Sequence, residues 1–385
     1  MRVLITGGAG FVGRVTIRAL LERGHRIVVL DSMEPQVHGP EQQLPEEVCR
    51  LVRAGDIEFI LGRVEDPTVL RPILRRVDAV IHLAAQVGVG QSTYEALRYT
   101  TGNALGAAAL VEAIVGGQTS VQRVVTASSI SNYGEGAGRN PRTGRRVAAV
   151  RRRRDLIAGR WTPVDPGDGL PVEVLTTTED DLQRPSSVYG LSKHYTEEMV
   201  RLLGEATGLS VACLRYGNLY GPGQALSNPY TGVLCSFYAR LRAHRSPLLF
   251  EDGRQRRRYT FVDDVARANT MALEADFAEP ALLNISAEEE VSLLGLCEAL
   301  GGLLGRPVSP RVLGVARVGD VRHLIPDTTR ARETLGFSAQ TPLAVGLARW
   351  LADAAPQEPE DRTLAALHQL HQKRLLLGEL PAGLQ

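Results

Sequence analysis

The chain opens on Arg2-Val3-Leu4-Ile5-Thr6-Gly7-Gly8-Ala9-Gly10-Phe11-Val12-Gly13, an apolar run that leads directly into a glycine-rich turn. The apolar run predicts a short buried strand, and the residues after the turn predict a helix that continues to Leu21. Glycines at 7, 10 and 13 let the main chain turn tightly and approach a bound group closely. Free N–H groups at the start of the following helix attract an anion. The stretch therefore predicts a strand–turn–helix unit with an anion site at the turn.

A second apolar run over residues 26–30 ends at Asp31, 18 residues after Gly13. A carboxylate at that place can hold a ribose diol while the glycine turn holds a pyrophosphate. Strand, turn, helix, strand and acid, in this order, predict a dinucleotide site. The acid favours NAD over NADP because a carboxylate repels a 2′-phosphate.

Further apolar runs at 57–61, 78–83, 122–127 and 210–215 alternate with helical stretches. This alternation predicts an α/β fold, a Rossmann-type doubly wound parallel sheet with a smaller C-terminal α/β substrate-binding lobe. In such a sheet ligands bind outside the carboxyl ends of the strands. Small residues after the fourth run leave room for a cofactor to lie across the strand end.

We expect a dinucleotide-binding domain over residues 1–215, a substrate lobe over 216–355 in which the chain can cross back, and a linker with a tail helix over 356–385. Residues 135–178 interrupt the alternation and contain nine arginines with no cysteine or histidine. The favoured interpretation of this insertion is a solvated surface excursion. The alternative is a lid or subunit contact over substrate phosphates, since guanidinium groups suit phosphate.

Composition excludes several classes of function. The net charge of the 385 residues is +1, so no overall field points to nucleic acid or to a membrane. Four cysteines (49, 213, 235 and 297) are scattered without a pairing pattern, which argues against a zinc site and fits a reducing, cytoplasmic location. No signal peptide and no apolar run of 18 residues is present, so we expect no membrane segment.

A second informative stretch, Ser186-Ser187-Val188-Tyr189-Gly190-Leu191-Ser192-Lys193, places a tyrosine and a lysine four residues apart. On a helix this spacing puts both side chains on one face. A free phenol titrates near pH ~10, and a neighbouring ammonium lowers that pKa. Such a phenol can take a proton from a sugar hydroxyl while hydride leaves the carbon. Tyr-x-x-x-Lys alone is most often a solvated helix face, and only the dinucleotide site and a Ser/Thr donor elsewhere give it weight.

The glycine turn, Ser129, Tyr189 and Lys193 together resemble the extended short-chain dehydrogenase/reductase family, and within it the nucleotide-sugar 4-epimerases. Residues 88–92 and 127–136 are most similar in motif to dTDP-L-rhamnose 4-epimerase-like proteins. The resemblance implies NAD-dependent epimerisation of a dTDP- or UDP-linked sugar at C4 through a transient 4-keto intermediate. It also implies a homodimer formed through the helices that contain Asn103 and Tyr189.

The resemblance implies roles for individual residues. The catalytic residues would be Ser129, Tyr189 and Lys193. The residues that would contact NAD are Gly7, Gly10, Phe11, Val12, Gly13, Asp31, Val64, Leu83, Ala84, Ala85, Gln86, Asn103, Tyr189 and Lys193. The residues that would contact the substrate are Ser129, Tyr189, Asn218, Arg257 and Arg322, the last three at its diphosphate.

Other activities remain open at this point. Related dehydratases place an Asp-Glu pair directly after the catalytic Ser/Thr, and decarboxylases place a Glu there; here the positions are Ile130 and Ser131. Members that bind uronates have an arginine where this chain has Gly90. Elimination and decarboxylation are therefore disfavoured, and a 4-ketoreductase is the main alternative enzyme. A non-catalytic dinucleotide sensor is the alternative from another class.

Overall fold

The structure is a computed structural model and describes residues 1–117, 119–228, 230, 232–305 and 307–384. The strands are β1 (Arg2–Thr6), β2 (Arg26–Asp31), β3 (Ile57–Leu61), β4 (Ala79–His82), β5 (Arg123–Ser129), β6 (Ala137–Arg139), β7 (Arg146–Ala148), β8 (Glu173–Val174), β9 (Ser210–Tyr216), β10 (Asn218–Tyr220), β11 (Leu248–Leu249), β12 (Arg256–Phe261), β13 (Ala281–Ile285), β14 (Glu290–Ser292), β15 (Arg311–Val312), β16 (Ala316–Arg317) and β17 (Leu376–Leu377).

The α-helices are α1 (Phe11–Glu22), α2 (Pro35–His38), α3 (Glu46–Ala54), α4 (Pro67–Leu74), α5 (Val89–Ser92), α6 (Ala96–Tyr99), α7 (Gly106–Val115), α8 (Arg153–Ile157), α9 (Val188–Thr207), α10 (Val233–Arg242), α11 (Val262–Glu274), α12 (Leu293–Leu303), α13 (Thr329–Leu335), α14 (Leu343–Ala354) and α15 (Thr363–Gln372). A π-helical segment spans Thr100–Leu105 and a 3₁₀ turn spans Ile130–Tyr133. Among the described residues, no helix combines the length and apolarity needed to cross a membrane.

A seven-stranded sheet with the order β13-β9-β5-β4-β1-β2-β3 forms the centre of the molecule. Every pair of neighbours in it is parallel. The strand order reverses between β1 and β4, which opens a crevice at the carboxyl ends of these strands. The predicted doubly wound sheet is confirmed, and the crevice lies where the glycine turn and the ends of β2, β4 and β5 meet.

Helices cover both faces of this sheet because its strands are apolar on both sides. One face packs against α1 and α11, with Ile5 and Ile17 in the same cluster as Val265. The other face packs against α4, α7 and α9, with Leu4 and Val200 in its cluster.

The second lobe is smaller and is built around the sheet β10-β12-β14 with α10, α12 and α14. Its core contains Phe237, Phe261 and Trp350. The chain crosses back between these elements, because α11 packs on α1 and β13 pairs with β9. The lobe therefore faces the carboxyl ends of the large sheet and closes the crevice from one side.

The insertion over 135–178 is folded, and the expected solvated excursion is wrong for its central part. β7, β6 and β8 form an antiparallel sheet, and Asn140 Nδ2 donates to Asp165 Oδ2 at 2.7 Å. Arg151 is buried, and its guanidinium contacts Glu135 at 2.6 Å and Glu251 at 2.5 Å. The carboxylates that pair with Arg151 are distant in sequence from the arginine run 151–154. The density of arginines along the chain therefore wrongly predicted that Arg151 faces solvent.

The helical stretch between β4 and β5 is interrupted. Short helices α5 and α6 precede the π-helical segment at Thr100–Leu105, and α7 begins only at Gly106. A π-helical segment widens the turn and redirects side chains. Here it turns Asn103 inward, where it is buried.

Candidate active site

The glycine turn lies between β1 and α1, at the carboxyl end of the central strand. Gly7 adopts φ 72°, and a Cβ at Gly13 would lie 2.5 Å from Gly8 Cα and 2.6 Å from the carbonyl oxygen of Gly7. Only hydrogen fits at Gly13 without moving backbone. Because α1 begins at Phe11, the unpaired N–H groups of its first turn face the crevice.

Asp31 ends β2 beside this turn and is buried. Its Oδ2 accepts from the Ala9 backbone N–H at 3.0 Å, and its Oδ1 accepts from the Met33 backbone N–H at 2.9 Å. Each carboxylate oxygen keeps a further lone pair. The carboxylate is thus fixed in orientation and can accept two hydrogen bonds from a ribose diol.

The floor of the crevice is the segment after β4. Leu83, Ala84, Ala85 and Gln86 all line the cavity, whereas Asn103 does not. Asn103 instead holds the segment from below: its Oδ1 accepts from the Gln86 backbone N–H at 2.6 Å, and its Nδ2 donates to the Gln86 carbonyl at 3.0 Å. Asn103 thus supports the floor of the crevice, and its direct contact with the cofactor stays a prediction.

Tyr189 and Lys193 lie in the first turns of α9, and Ser129 is the last residue of β5. All three line the same cavity as the glycine turn. Lys193 Nζ donates to the Ala127 carbonyl at 2.8 Å, and the Tyr189 backbone N–H donates to Ser92 Oγ at 3.0 Å. These bonds hold the start of α9 against β5 and the segment after β4.

The titration of these groups differs from the sequence-based expectation. Burial raises the pKa of Tyr189, and a hydrogen bond with Ser129 partly offsets this rise. Burial lowers the pKa of Lys193 to about 8, so its ammonium is still charged at neutral pH. His82, whose Nδ1 pairs with Thr6 Oγ1 at 2.8 Å, has its pKa lowered to about 3 by burial and by Lys193, and it stays neutral.

A buried polar network supports the end of β5. Glu197 and Arg215 form an ion pair at 2.6 Å, and neither side chain is exposed. Ser128 Oγ donates to Glu197 Oε2 at 2.5 Å, and Asn132 Nδ2 donates to Ser128 Oγ at 3.0 Å. The network fixes the main chain on both sides of Ser129.

The second lobe contributes cations and amides to the cavity. Asn218 and Arg257 both line it. The Arg257 guanidinium donates to the carbonyls of Arg322 at 2.8 Å and of Val321 at 2.5 Å, and burial lowers its pKa. Among the residues that the structure describes, no carboxylate pairs with Arg257. Its charge is therefore available to an anionic ligand.

The structure does not bring Arg322 to this set. Arg322 does not line the cavity; its guanidinium pairs with Glu251 at 2.9 Å and with Asp252 at 2.5 Å. Arg317, which sequence reasoning missed, lines the cavity and stacks over Phe250 at 5.3 Å from the ring centroid. Arg317, the last residue of β16, pairs with Asp320 at 2.8 Å, and both residues line the cavity. Both arginines thus have carboxylate partners, and they differ because the partners of Arg322 lie outside the cavity.

The cavity that these residues line has a volume of about 810 Å³. This is at the upper end of the range for small-molecule sites. Every residue predicted to contact the cofactor lines it except Asn103: Gly7, Gly10, Phe11, Val12, Gly13, Asp31, Val64, Leu83, Ala84, Ala85, Gln86, Tyr189 and Lys193. The glycine cradle, the oriented carboxylate and the unpaired N–H groups fit NAD.

Comparison with known proteins agrees with this geometry. The NAD dependent epimerase/dehydratase family matches residues 3–152 and 163–286. A dTDP-L-rhamnose 4-epimerase of Burkholderia thailandensis is 33% identical over 91% of this chain and 95% of its own. MoeE5, solved with UDP-glucose and NAD, is 30% identical with a TM-score of 0.71, covering 92% of this chain and 99% of its own. The UDP-glucose 4-epimerase of Thermotoga maritima, solved with UDP-glucose, is 28% identical with a TM-score of 0.73 and the same coverage.

These matches span most of the chain, and the glycine turn, the end of β5 and the start of α9 all lie within the matched residues. The chain belongs to the NAD dependent epimerase/dehydratase family.

Proposed function

We propose that this chain is an NAD-dependent enzyme that epimerises a nucleotide-diphosphate sugar at C4 through a transient 4-keto sugar. One observation carries the proposal. Ser129, Tyr189 and Lys193 line a single cavity that also contains the glycine turn and, on the second lobe, Arg257, for which the described part of the chain offers no carboxylate partner. Such a cavity can hold a dinucleotide and a sugar diphosphate at the same time.

The chemistry follows from the side chains present. Tyr189 takes the proton of the C4 hydroxyl and later returns it, and Ser129 donates a hydrogen bond to the C4 oxygen. Lys193, charged at neutral pH, favours the phenolate electrostatically. Bound NAD would supply the hydride acceptor and donor. Asn218 and Arg257 hold the diphosphate while the sugar turns about its phosphate linkage, so that its opposite face is presented for the second transfer.

Elimination is disfavoured by the residues beside Ser129. Ile130 and Ser131 line the cavity, and neither can move a proton to or from carbon at neutral pH. Ile130 packs against Tyr133 and Leu324 rather than toward a polar partner. Epimerisation needs only the three catalytic residues and the cofactor, so the residues present are sufficient for it.

The substrate end is proposed to take a UDP- or dTDP-linked sugar. Arg257 and Arg317 both line the cavity, and paired guanidinium groups match the oxygens of a diphosphate. Arg317 also pairs with Asp320 at 2.8 Å, so Arg257 is the main proposed diphosphate ligand. Residues 1–215 are proposed as the dinucleotide-binding domain and 216–355 as the substrate lobe, with α11 and β13 returning to the large sheet.

A homodimer is proposed through the surface formed by α6, the π-helical segment and α9. Four large apolar side chains are exposed on these adjacent elements: Leu97, Leu105, Leu191 and Leu202. Exposed apolar residues grouped on one surface are typical of protein interfaces. A cytoplasmic location is consistent with four cysteines that are all free.

The test compares wild type with Tyr189→Phe and with Tyr195→Phe, a matched control that is exposed on the same helix. Each protein is incubated with dTDP-L-rhamnose, UDP-glucose and UDP-GlcNAc, and the C4 configuration of the product is assigned by NMR. We expect epimer from wild type and from the control only, without net consumption of NAD. Stoichiometric oxidation of NADH or NADPH would instead identify a ketoreductase, and equal turnover by Tyr189→Phe would reject the mechanism.

A further inference from the structure

Helix α15 forms part of the cavity wall, although the family match ends at residue 286. Four residues of α15 line the cavity: Thr363, Ala366, Leu367 and Leu370. Their spacing of three and four residues places them on one face of the helix. The helix thus presents a continuous, mainly apolar face inward, while Ala365 and His368 on its other face are exposed.

The helix is held in place at both ends. Before it, Asp361 is buried and pairs with Arg240 at 3.3 Å and with Arg245 at 3.1 Å. Toward its C-terminal end, Gln369 Oε1 accepts hydrogen bonds from Tyr94 at 3.0 Å and from Tyr230 at 2.9 Å. Contacts with both lobes make α15 a fixed wall.

The strand that follows the helix supports one of the cavity arginines. β17 pairs with β16 so that Leu376 lies opposite Arg317, and the Val318 backbone N–H donates to the Leu375 carbonyl at 2.9 Å. Leu377 packs with Leu156 of the insertion. The tail therefore lies between the insertion and the cavity, and it fixes the backbone that carries Arg317.

The inner face of α15 is adjacent to the apolar end of the cavity. Leu367 packs in one cluster with Leu248 and Leu313, with Phe250 against it, and these three residues also line the cavity. Arg317 stacks over Phe250, so this apolar end begins beside a proposed diphosphate ligand. A nucleotide sugar is a linear molecule. If the sugar lies at Tyr189 and the diphosphate lies at Arg257 and Arg317, the nucleoside extends to the apolar end of the cavity.

We propose that α15 is a wall of the nucleoside subsite, in direct contact with the base or ribose through Ala366 and Leu367. This inference rests on the proposed function for the class of ligand. An apolar surface suits the face of a pyrimidine ring and excludes water from it. The tail thus contributes to nucleotide affinity rather than serving as an appended helix.

The experiment uses a matched pair of neighbouring substitutions in the full-length, NAD-loaded protein. Ala366→Phe adds a ring on the cavity side of α15, and Ala365→Phe adds the same ring on the solvent side. Binding of UDP, dTDP and inorganic pyrophosphate is measured by calorimetry. We expect Ala366→Phe to weaken UDP and dTDP binding by at least about tenfold with pyrophosphate binding unchanged, because overfilling a packed site is unfavourable. Ala365→Phe should bind all three as wild type does.

Two controls separate the outcomes. Retained NAD and an unchanged Tm show that a variant is folded, and Ala366→Met replaces Ala366→Phe if the larger side chain prevents folding. Unchanged UDP and dTDP affinity in the Ala366 variant overturns the inference, and so does an equal loss of pyrophosphate affinity, which would place the effect at the arginines. Failure of wild type itself to bind either nucleotide refutes the proposed function instead.

Discussion

Replacing Glu197 by glutamine should destabilise the protein strongly, because this carboxylate balances a buried arginine. Glu197 accepts hydrogen bonds from Arg215 Nε at 2.8 Å and Nη2 at 2.6 Å, and from Ser128 Oγ at 2.5 Å. Neither charged side chain has any exposed surface. A glutamine at this position keeps one acceptor oxygen but turns an amide NH₂ toward a guanidinium that only donates.

The magnitude follows from the complete burial of the pair. Removing one partner of a buried ion pair leaves an uncompensated charge and costs about 3–5 kcal/mol. That is a large fraction of the roughly 5–15 kcal/mol that stabilises a typical folded protein. We therefore expect Glu197→Gln to reduce the free energy of unfolding by about 4 kcal/mol.

The neighbouring residue provides a matched control. Glu198 also pairs with an arginine, Arg201, at 2.8 Å on the same helix, but these side chains are 34% and 26% exposed. Glu198→Gln should reduce the free energy of unfolding by less than about 1 kcal/mol. Urea unfolding at pH 7, followed by circular dichroism, measures both variants. A loss below about 1 kcal/mol for Glu197→Gln would refute the argument that burial determines the strength of this pair.

Three further predictions follow from the site and its surface. Lys193→Met should abolish turnover yet stabilise the cofactor-free protein by about 1–3 kcal/mol at pH 7. Because burial lowers the pKa of Lys193 from 10.5 to about 8, this gain in stability is complete below pH 8 and disappears as the pH approaches 10.5. A gain that does not change with pH, measured by urea unfolding, would contradict this. Gly13→Ala should abolish NAD retention because its Cβ would lie 2.5–2.6 Å from backbone atoms, whereas Gly302→Ala, with no atom within 4 Å, should retain NAD as wild type does; equal retention by both would argue against the cradle. Leu202→Glu should give monomers by light scattering if the α9 surface forms a dimer, while the equally exposed control Val345→Glu should not change the molar mass.

The parallel sheet and the cofactor side of the site were predictable because both depend on short-range patterns. β1, the glycine turn, α1 and β2 follow one another within residues 2–31, so local spacing predicts their spatial arrangement. Tyr189 and Lys193 are one helical turn apart, and each lines the cavity as predicted. Strand order then brings Ser129, at the end of β5, to the same edge of the sheet.

The substrate side was less predictable because its residues are selected by contacts between distant segments. Arg317 ends β16 and pairs with Asp320, which also lines the cavity, whereas Arg322 in the following loop pairs with Glu251 and Asp252 outside the cavity. Asn103 makes two bonds to the backbone of Gln86 and so supports the cavity floor. The partners of these residues lie far along the chain, 17 residues from Asn103 and 71 from Arg322 in the case of Glu251.

The insertion and the tail were the segments that the sequence explained least, and in the structure they act on the same loop. Arg151 of the insertion donates to the Asp320 carbonyl at 2.5 Å and pairs with Glu135 and Glu251. β17 of the tail pairs with β16, directly before that loop. The loop is therefore fixed from two sides by elements outside the seven-stranded sheet.

Charge balance in this region explains which arginine remains available to a ligand. Glu135, Glu251 and Asp252 compensate Arg151 and Arg322, so these two arginines are held as structure. Among the described residues, the Arg257 guanidinium donates only to backbone carbonyls, which orient it without neutralising it. Because burying an uncompensated charge is unfavourable, the folded protein gains most from an anion at that point. The buried ion pairs thus compensate Arg151 and Arg322 but not Arg257, which supports Arg257 as a ligand for the diphosphate of the proposed substrate, and none of their carboxylates lines the cavity.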